Sequence, residues 1–155
     1  MQDTIQTRLE REGITLPEMA APAANYLPFV RTGNLVFTAG QLPFVNGQLH
    51  QTGLLGRDVE VEEGRAAARQ CAINILAVIK AAVGDLEKVE RIVKLTAFIA
   101  SAPGFTDQPK VANGASDLLV SVFGEKGRHA RSAVGMASLP LDAPVEVEAV
   151  IEVSA

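Results

Sequence analysis

The chain has no tryptophan, one tyrosine and one cysteine, and aromatic residues make up only 5% of it. A single cysteine excludes an internal disulfide and fits a reducing compartment. Scarce aromatics remove the stacking platforms that single-stranded nucleic acids favour. Basic charge is in deficit too: 14 Lys and Arg against 18 Asp and Glu leave a net charge of −4. A general nucleic-acid or anionic-membrane surface wants the opposite sign. His50 and His129 lie far apart, with no cysteine or acidic cluster at ligand spacing, so no metal site is read and each histidine reads as a solvated loop residue. No apolar run approaches the roughly 18 residues of a membrane span. Residues 1–11 are too polar for a secretory signal, so the expectation is a cytoplasmic protein with no membrane partner. Gly124-Glu125-Lys126-Gly127 lacks phosphate-loop spacing, and there is no Gly-x-Ser-x-Gly elbow. Cys71 falls on an apolar helical stripe and reads as a core thiol rather than a nucleophile. Non-covalent acid–base chemistry without a cofactor is what remains.

What is there suffices for a core. At 155 residues and 48% hydrophobic content, the chain is one domain, able to bury roughly 70% of its unfolded surface. Residues 1–19 read as a short helix over 3–12 plus a connector, with Asp3 or Thr4 as N-cap and Gly13 as stop. Residues 20–155 form the main body. Strands are expected at 26–30 and 35–39 around Arg31-Thr32-Gly33-Asn34, with a smaller hairpin at Asn46-Gly47. Ala68, Cys71, Ala72, Ile75, Ile79 and Ala82 recur at helical spacing and predict a helix over 61–83, closed by Gly84. A strand at 92–100 and a helix at 109–123, capped by Thr106 or Asp107, follow. Residues 124–130 read as an exposed loop.

The last stretch is the most informative. Val145, Val147, Ala149, Ile151 and Val153 alternate with Glu146, Glu148 and Glu152, which is the period-two pattern of a strand with one face in a core. Arg131 opens the preceding strand, and the acidic strand is expected beside it as an antiparallel hairpin. The order strands, helix, strand, helix, two strands predicts an α+β fold: a single mixed or antiparallel sheet with two helices on one face. The other face, apolar side chains mixed with glutamates, is left for another subunit.

Two stretches resemble a known family. Arg131-Ser132-Ala133-Val134, Leu139-Pro140 and Val145-Glu146-Val147-Glu148-Ala149 resemble the closing signature of the Rid, or YjgF-like, reactive-intermediate deaminases. Asn34-Leu35-Val36-Phe37-Thr38-Ala39-Gly40-Gln41-Leu42-Pro43 looks like that family's first signature, and the similarity spans roughly 20–153. The resemblance implies a chorismate-mutase-like fold, a homotrimer and sites in clefts between subunits. It also implies cofactor-free hydrolysis of carboxylate-bearing enamines or imines to 2-keto acids and ammonia. Arg131 matches the arginine that holds the substrate carboxylate, Glu148 the glutamate that positions water, Tyr26 a pocket tyrosine, and Gly40 a glycine whose backbone faces the ligand. Asn113 stands about one residue out of register with a family asparagine on the second helix. Ala39 and Ala133 replace a serine and a cysteine common in the family, and Ala24-Asn25-Tyr26-Leu27-Pro28 replaces its usual Gly-Pro-Tyr-Ser-Gln. Those replacements motivate an alternative, a non-catalytic keto-acid or amino-acid binding trimer. The ribonuclease activity attributed to some relatives fits less well with the charge and aromatic content.

Overall fold

A computed structural model describes residues 2–19 and 25–155. The connector read at 16–24 therefore lies partly outside the described residues. Helix α1 (Ile5–Arg11) starts at Thr4, whose hydroxyl caps Thr7 while Thr7 reaches back to the Thr4 backbone. Strands β1 (Phe29–Thr32) and β2 (Leu35–Thr38) form the expected hairpin. Helix α2 (Val61–Val83) has the bounds its periodicity predicts, with Gly84 at its end. Strand β3 (Val89–Ala100), helix α3 (Gln108–Phe123), strand β4 (Ala130–Met136) and strand β5 (Val145–Val153) complete the core. The loop read at 124–130 begins with a 3-10 turn, Gly124–Gly127.

The sheet order is β1-β2-β5-β3-β4. The expected hairpin of β4 with β5 is not formed. β4 pairs in parallel with β3, Leu95 opposite Arg131, and β5 runs antiparallel on the other side of β3, Thr96 opposite Glu148. The cause is α3, which intervenes between β3 and β4: a helical crossover returns the chain parallel to the strand it left. β4 thereby takes the sheet edge, and residues 137–144 carry the chain over β3 to β5.

Both long helices cover one face. Leu95, Ala97 and Ile99 of β3 and Val145, Val147, Ala149, Ile151 and Val153 of β5 are buried there, with Ala68, Cys71, Ile75 and Ile79 of α2 and Val111, Leu119 and Val122 of α3. Cys71 is a core thiol, its S–H directed 3.7 Å from the Val145 carbonyl. Burial, and secondly the Glu146 charge, push that thiol well above its usual range. α2 is long and apolar enough to cross a bilayer by length and composition, which the expectation drawn from apolar runs passed over. Its apolar side chains face the sheet and α3, and most of it is buried. The expected N-terminal helix, α1, docks on α3, with Arg8 Nη1 donating to the Val122 carbonyl at 3.0 Å.

The second face carries no helix among the described residues. It holds Lys94, Thr96 and Phe98 of β3, Glu146, Glu148, Val150 and Glu152 of β5, and Phe37 and Val30 of the hairpin, all half-buried or exposed.

Candidate functional site

Arg131 projects from the edge strand toward α3, since its cross-strand neighbour Leu95 is buried on the helix face. Helix α3 is held down there by Gly114, where a Cβ would run into the Arg65 carbonyl of α2. That approach sets one side of α3 over β4. Asn113 and Ser116, three residues apart and so on one helix face, both accept from Arg131 Nη1, at 2.8 and 3.2 Å. Nη2 donates to the Pro109 carbonyl at 3.4 Å.

All of these partners are neutral acceptors. Among the described residues no carboxylate pairs with Arg131, and its Nε–H makes no hydrogen bond. The guanidinium therefore keeps its charge, its Nε–H and one of the two Nη2 hydrogens without a partner among the described residues, and a guanidinium with two such donors can take a carboxylate in two parallel bonds. Ala133, two residues along β4, lies on the same face of the strand.

The hydrogen bonds behind Arg131 continue. Ser116 Oγ lies 2.9 Å from His129 Nε2, and His129 Nδ1 lies 2.6 Å from the Gly127 carbonyl. His129 is thus a half-buried ring with both nitrogens engaged, not the solvated loop residue its place in the sequence suggests.

The acidic residues sit elsewhere. Glu148 pairs with Thr96 on the helix-free face, so the sheet separates it from Arg131 within one protomer. Gly40 is on the Glu side, and a Cβ there would collide with the Glu146 carboxylate. The missing side chain lets backbone and carboxylate approach closely. Burial first, and the neighbouring Glu148 charge second, hold the Glu146 carboxyl above the usual carboxylate range. Glu148 itself is exposed. Tyr26, ahead of β1, is 55% exposed, and its hydroxyl makes no hydrogen bond with the described residues.

The structure therefore joins Arg131 to Asn113, joins Gly40 to the glutamate row through Glu146, and leaves the two groups on opposite faces. Glu146 and Ser116 were not singled out from the sequence, and His129 was weighed there only as a metal ligand and set aside. For Glu146 the sequence offers only a second glutamate at the same parity as Glu148. For Ser116 the one signal is its i, i+3 spacing from Asn113.

Comparison with known proteins agrees with this architecture. Residues 6–153 match the family model described as "YjgF/chorismate_mutase-like, putative endoribonuclease". The chain is 51% identical over 151 residues to Protein TCP17 of Trypanosoma cruzi, covering 97% of this chain and 94% of that one. It is 35% identical over 141 residues to the 2-iminobutanoate/2-iminopropanoate deaminase of Escherichia coli strain K12, covering 88% and 94%. The crystal structure of Atu1372 from Agrobacterium tumefaciens, a protein of unknown function, superposes with a TM-score of 0.91 at 51% identity, over 98% and 93% of the two chains. The fold is thus α+β and chorismate-mutase-like, and the protein belongs to the YjgF, or Rid, family.

Proposed function

We propose that the protein hydrolyses small carboxylate-bearing imines and their enamine tautomers to 2-keto acids and ammonia, as a homotrimer and without a cofactor. The observation that carries this reading is Arg131: a guanidinium held by Asn113, Ser116 and Pro109, unpaired by any carboxylate among the described residues. Such a group binds the substrate carboxylate through its remaining donors. Relatives named imine deaminases, at 31–35% identity, supply the reaction class.

One protomer holds only half of the machinery, and assembly supplies the rest. The helix-free face exposes Phe37 (42%) and Val30 (52%) amid the glutamates, apolar surface that packing against further copies would cover. In this reading the β4 edge of one copy, with Arg131 and Asn113, meets Gly40, Tyr26 and the glutamate row of the next. Water adds to C2 of the bound imine while a carboxylate takes its proton. The carboxylic acid gives that proton to the imine nitrogen to complete the carbinolamine, and the carboxylate then carries the hydroxyl proton to nitrogen as the C–N bond breaks, releasing ammonia and the 2-keto acid. Between the two candidates, Glu146 is the better proton carrier, since its carboxyl is poised above the usual range beside Gly40. Glu148 contributes the charge that helps keep it there. Orienting water and imine in one cleft makes the addition effectively unimolecular.

The test is release of ammonia and 2-oxobutanoate from freshly generated 2-iminobutanoate, with semicarbazide competing. Acceleration by the wild type that Arg131→Ala abolishes supports the proposal, and equal rates for the two refute the role of Arg131. The loss of polar groups at Ala39 and Ala133 favours a second reading, a keto-acid binding trimer without turnover. Tight 2-oxobutanoate binding with no rate above background selects it.

A further inference from the structure

We infer that Ser116 and His129 form a relay that fixes the orientation of Arg131, so that both are positioning residues for carboxylate binding. The inference rests on the reading of Arg131 as the carboxylate anchor. Its basis is the direction of each hydrogen bond. The Gly127 carbonyl can only accept, so at 2.6 Å the proton must be on His129 Nδ1. In the neutral ring Nε2 then carries a lone pair, and the Ser116 hydroxyl 2.9 Å away donates to it. With its one proton committed, Ser116 Oγ offers only lone pairs to Arg131 Nη1 at 3.2 Å. The chain runs one way, from Arg131 through Ser116 and His129 to the backbone of Gly127.

A serine alone would not do this. A free hydroxyl rotates and can turn its hydrogen toward the guanidinium, where donor would face donor. His129 removes that freedom. Asn113 takes the other Nη1 contact at 2.8 Å, so the two acceptors together set the rotation of the guanidinium plane. Nε–H and the second Nη2 hydrogen, beyond the one given to the Pro109 carbonyl, are then the donors left for an incoming carboxylate. Both relay residues are half-buried, which limits competition from water. Neither residue touches the substrate in this arrangement; both act through Arg131.

The experiment compares Ser116→Ala, Ser116→Thr, His129→Phe and the double variant Ser116→Ala/His129→Phe, with Arg131→Ala as reference. Calorimetric binding of 2-oxobutanoate is the first readout, and thermal melting confirms that each variant is folded. Ser116→Ala and His129→Phe should each weaken binding by about threefold to tenfold, the net worth of one hydrogen bond. Ser116→Thr, which keeps the hydroxyl, should bind within about twofold of wild type by the same measure. The double variant should be no weaker than either single one, because one chain has been cut twice. Wild-type affinity in His129→Phe, or losses that multiply in the double variant, would overturn the relay. The second readout needs no ligand: nitrogen-15 NMR of the Arg131 guanidinium. Hindered Nη1–H rotation in wild type that is lost in His129→Phe supports the relay, and unchanged spectra overturn it. If Arg131→Ala binds 2-oxobutanoate as well as wild type, the carboxylate-anchor reading fails, and the NMR comparison still decides the relay.

Discussion

The two faces of the sheet are built from the same strands and do opposite things. On β5, Val147 is fully buried and Glu148 is exposed, although they are adjacent in sequence. The helix face is dry and apolar along β3 and β5, and it supplies the stability. The other face mixes Glu146, Glu148, Glu152, Lys94 and Thr96 with exposed Phe37 and Val30, and no helix covers it among the described residues. Arg131 belongs to neither interior. It stands at the β4 edge, where α3 holds it above the strand by neutral contacts alone. The contrast teaches that a charged residue open to a ligand is recognisable by which partners it lacks as much as by those it has.

The sharpest way to probe this contrast is truncation on each face. Ile151→Ala should cost about 2–5 kcal/mol, as buried aliphatic deletions do, while Glu152→Ala should stay within about 0.5 kcal/mol. Chemical denaturation measures both, and equal losses would dissolve the distinction between the faces. The next effect in size is on catalysis. Arg131→Ala should lower the deamination rate about 100-fold, the worth of charge-assisted bonds to the carboxylate. Its stability should change by less than about 1 kcal/mol, since Arg131 is not in the core.

Association comes third. Phe37→Asp places a charge on the helix-free face beside Val150 and Val30. It should weaken assembly about 100-fold or more, because that charge would be buried without a partner. Sedimentation should show monomers with an unchanged far-UV spectrum, and a persisting trimer would mean that this face is not the interface. The smallest effect concerns Glu146. Its folded carboxyl titrates above the usual 4.5, so the folded state holds its proton more tightly than the unfolded chain. The stability this contributes is present below about pH 4.5 and is lost as pH rises through the folded value. Glu146→Gln keeps a neutral side chain throughout. It should raise Tm slightly at pH 7, solvent screening of a half-exposed carboxyl keeping the gain small, and bring no gain at pH 4. A gain that is the same at both pH values would remove titration as its cause.

Much of the secondary structure was legible because it rests on local pattern. α2 has the bounds that the Ala–Ile period and Gly84 indicate, and the alternation over Val145–Val153 sorts every residue of β5 onto its correct face. The pairing of β4 was not legible. Alternation reports which side of a strand is dry, not which strand lies beside it, and both candidate neighbours of β4 are equally apolar by that measure. The candidate site was half legible. Arg131 and Gly40 stand in motifs, and Asn113 proves to be the hydrogen-bond partner of Arg131 despite its uncertain register. Ser116 and His129 carry no motif, because their meaning depends on a contact across 13 residues of chain made by packing α3 against β4.

By itself the sequence determined the family, the α+β class, the extents of the long helices and the dry side of the central strand. Those follow from hydrophobic period, glycine stops and two separated motifs, all of them local properties. Only the tertiary structure decided that β4 lies at the edge, that β3 stands between it and β5, and that Arg131 and Glu148 face opposite sides of one sheet. The physical reason is that a helical crossover sets strand neighbours through the packing of a whole helix, an energy distributed over many residues far apart in the chain. The same packing turned an unremarked serine and a loop histidine into the backing of the arginine.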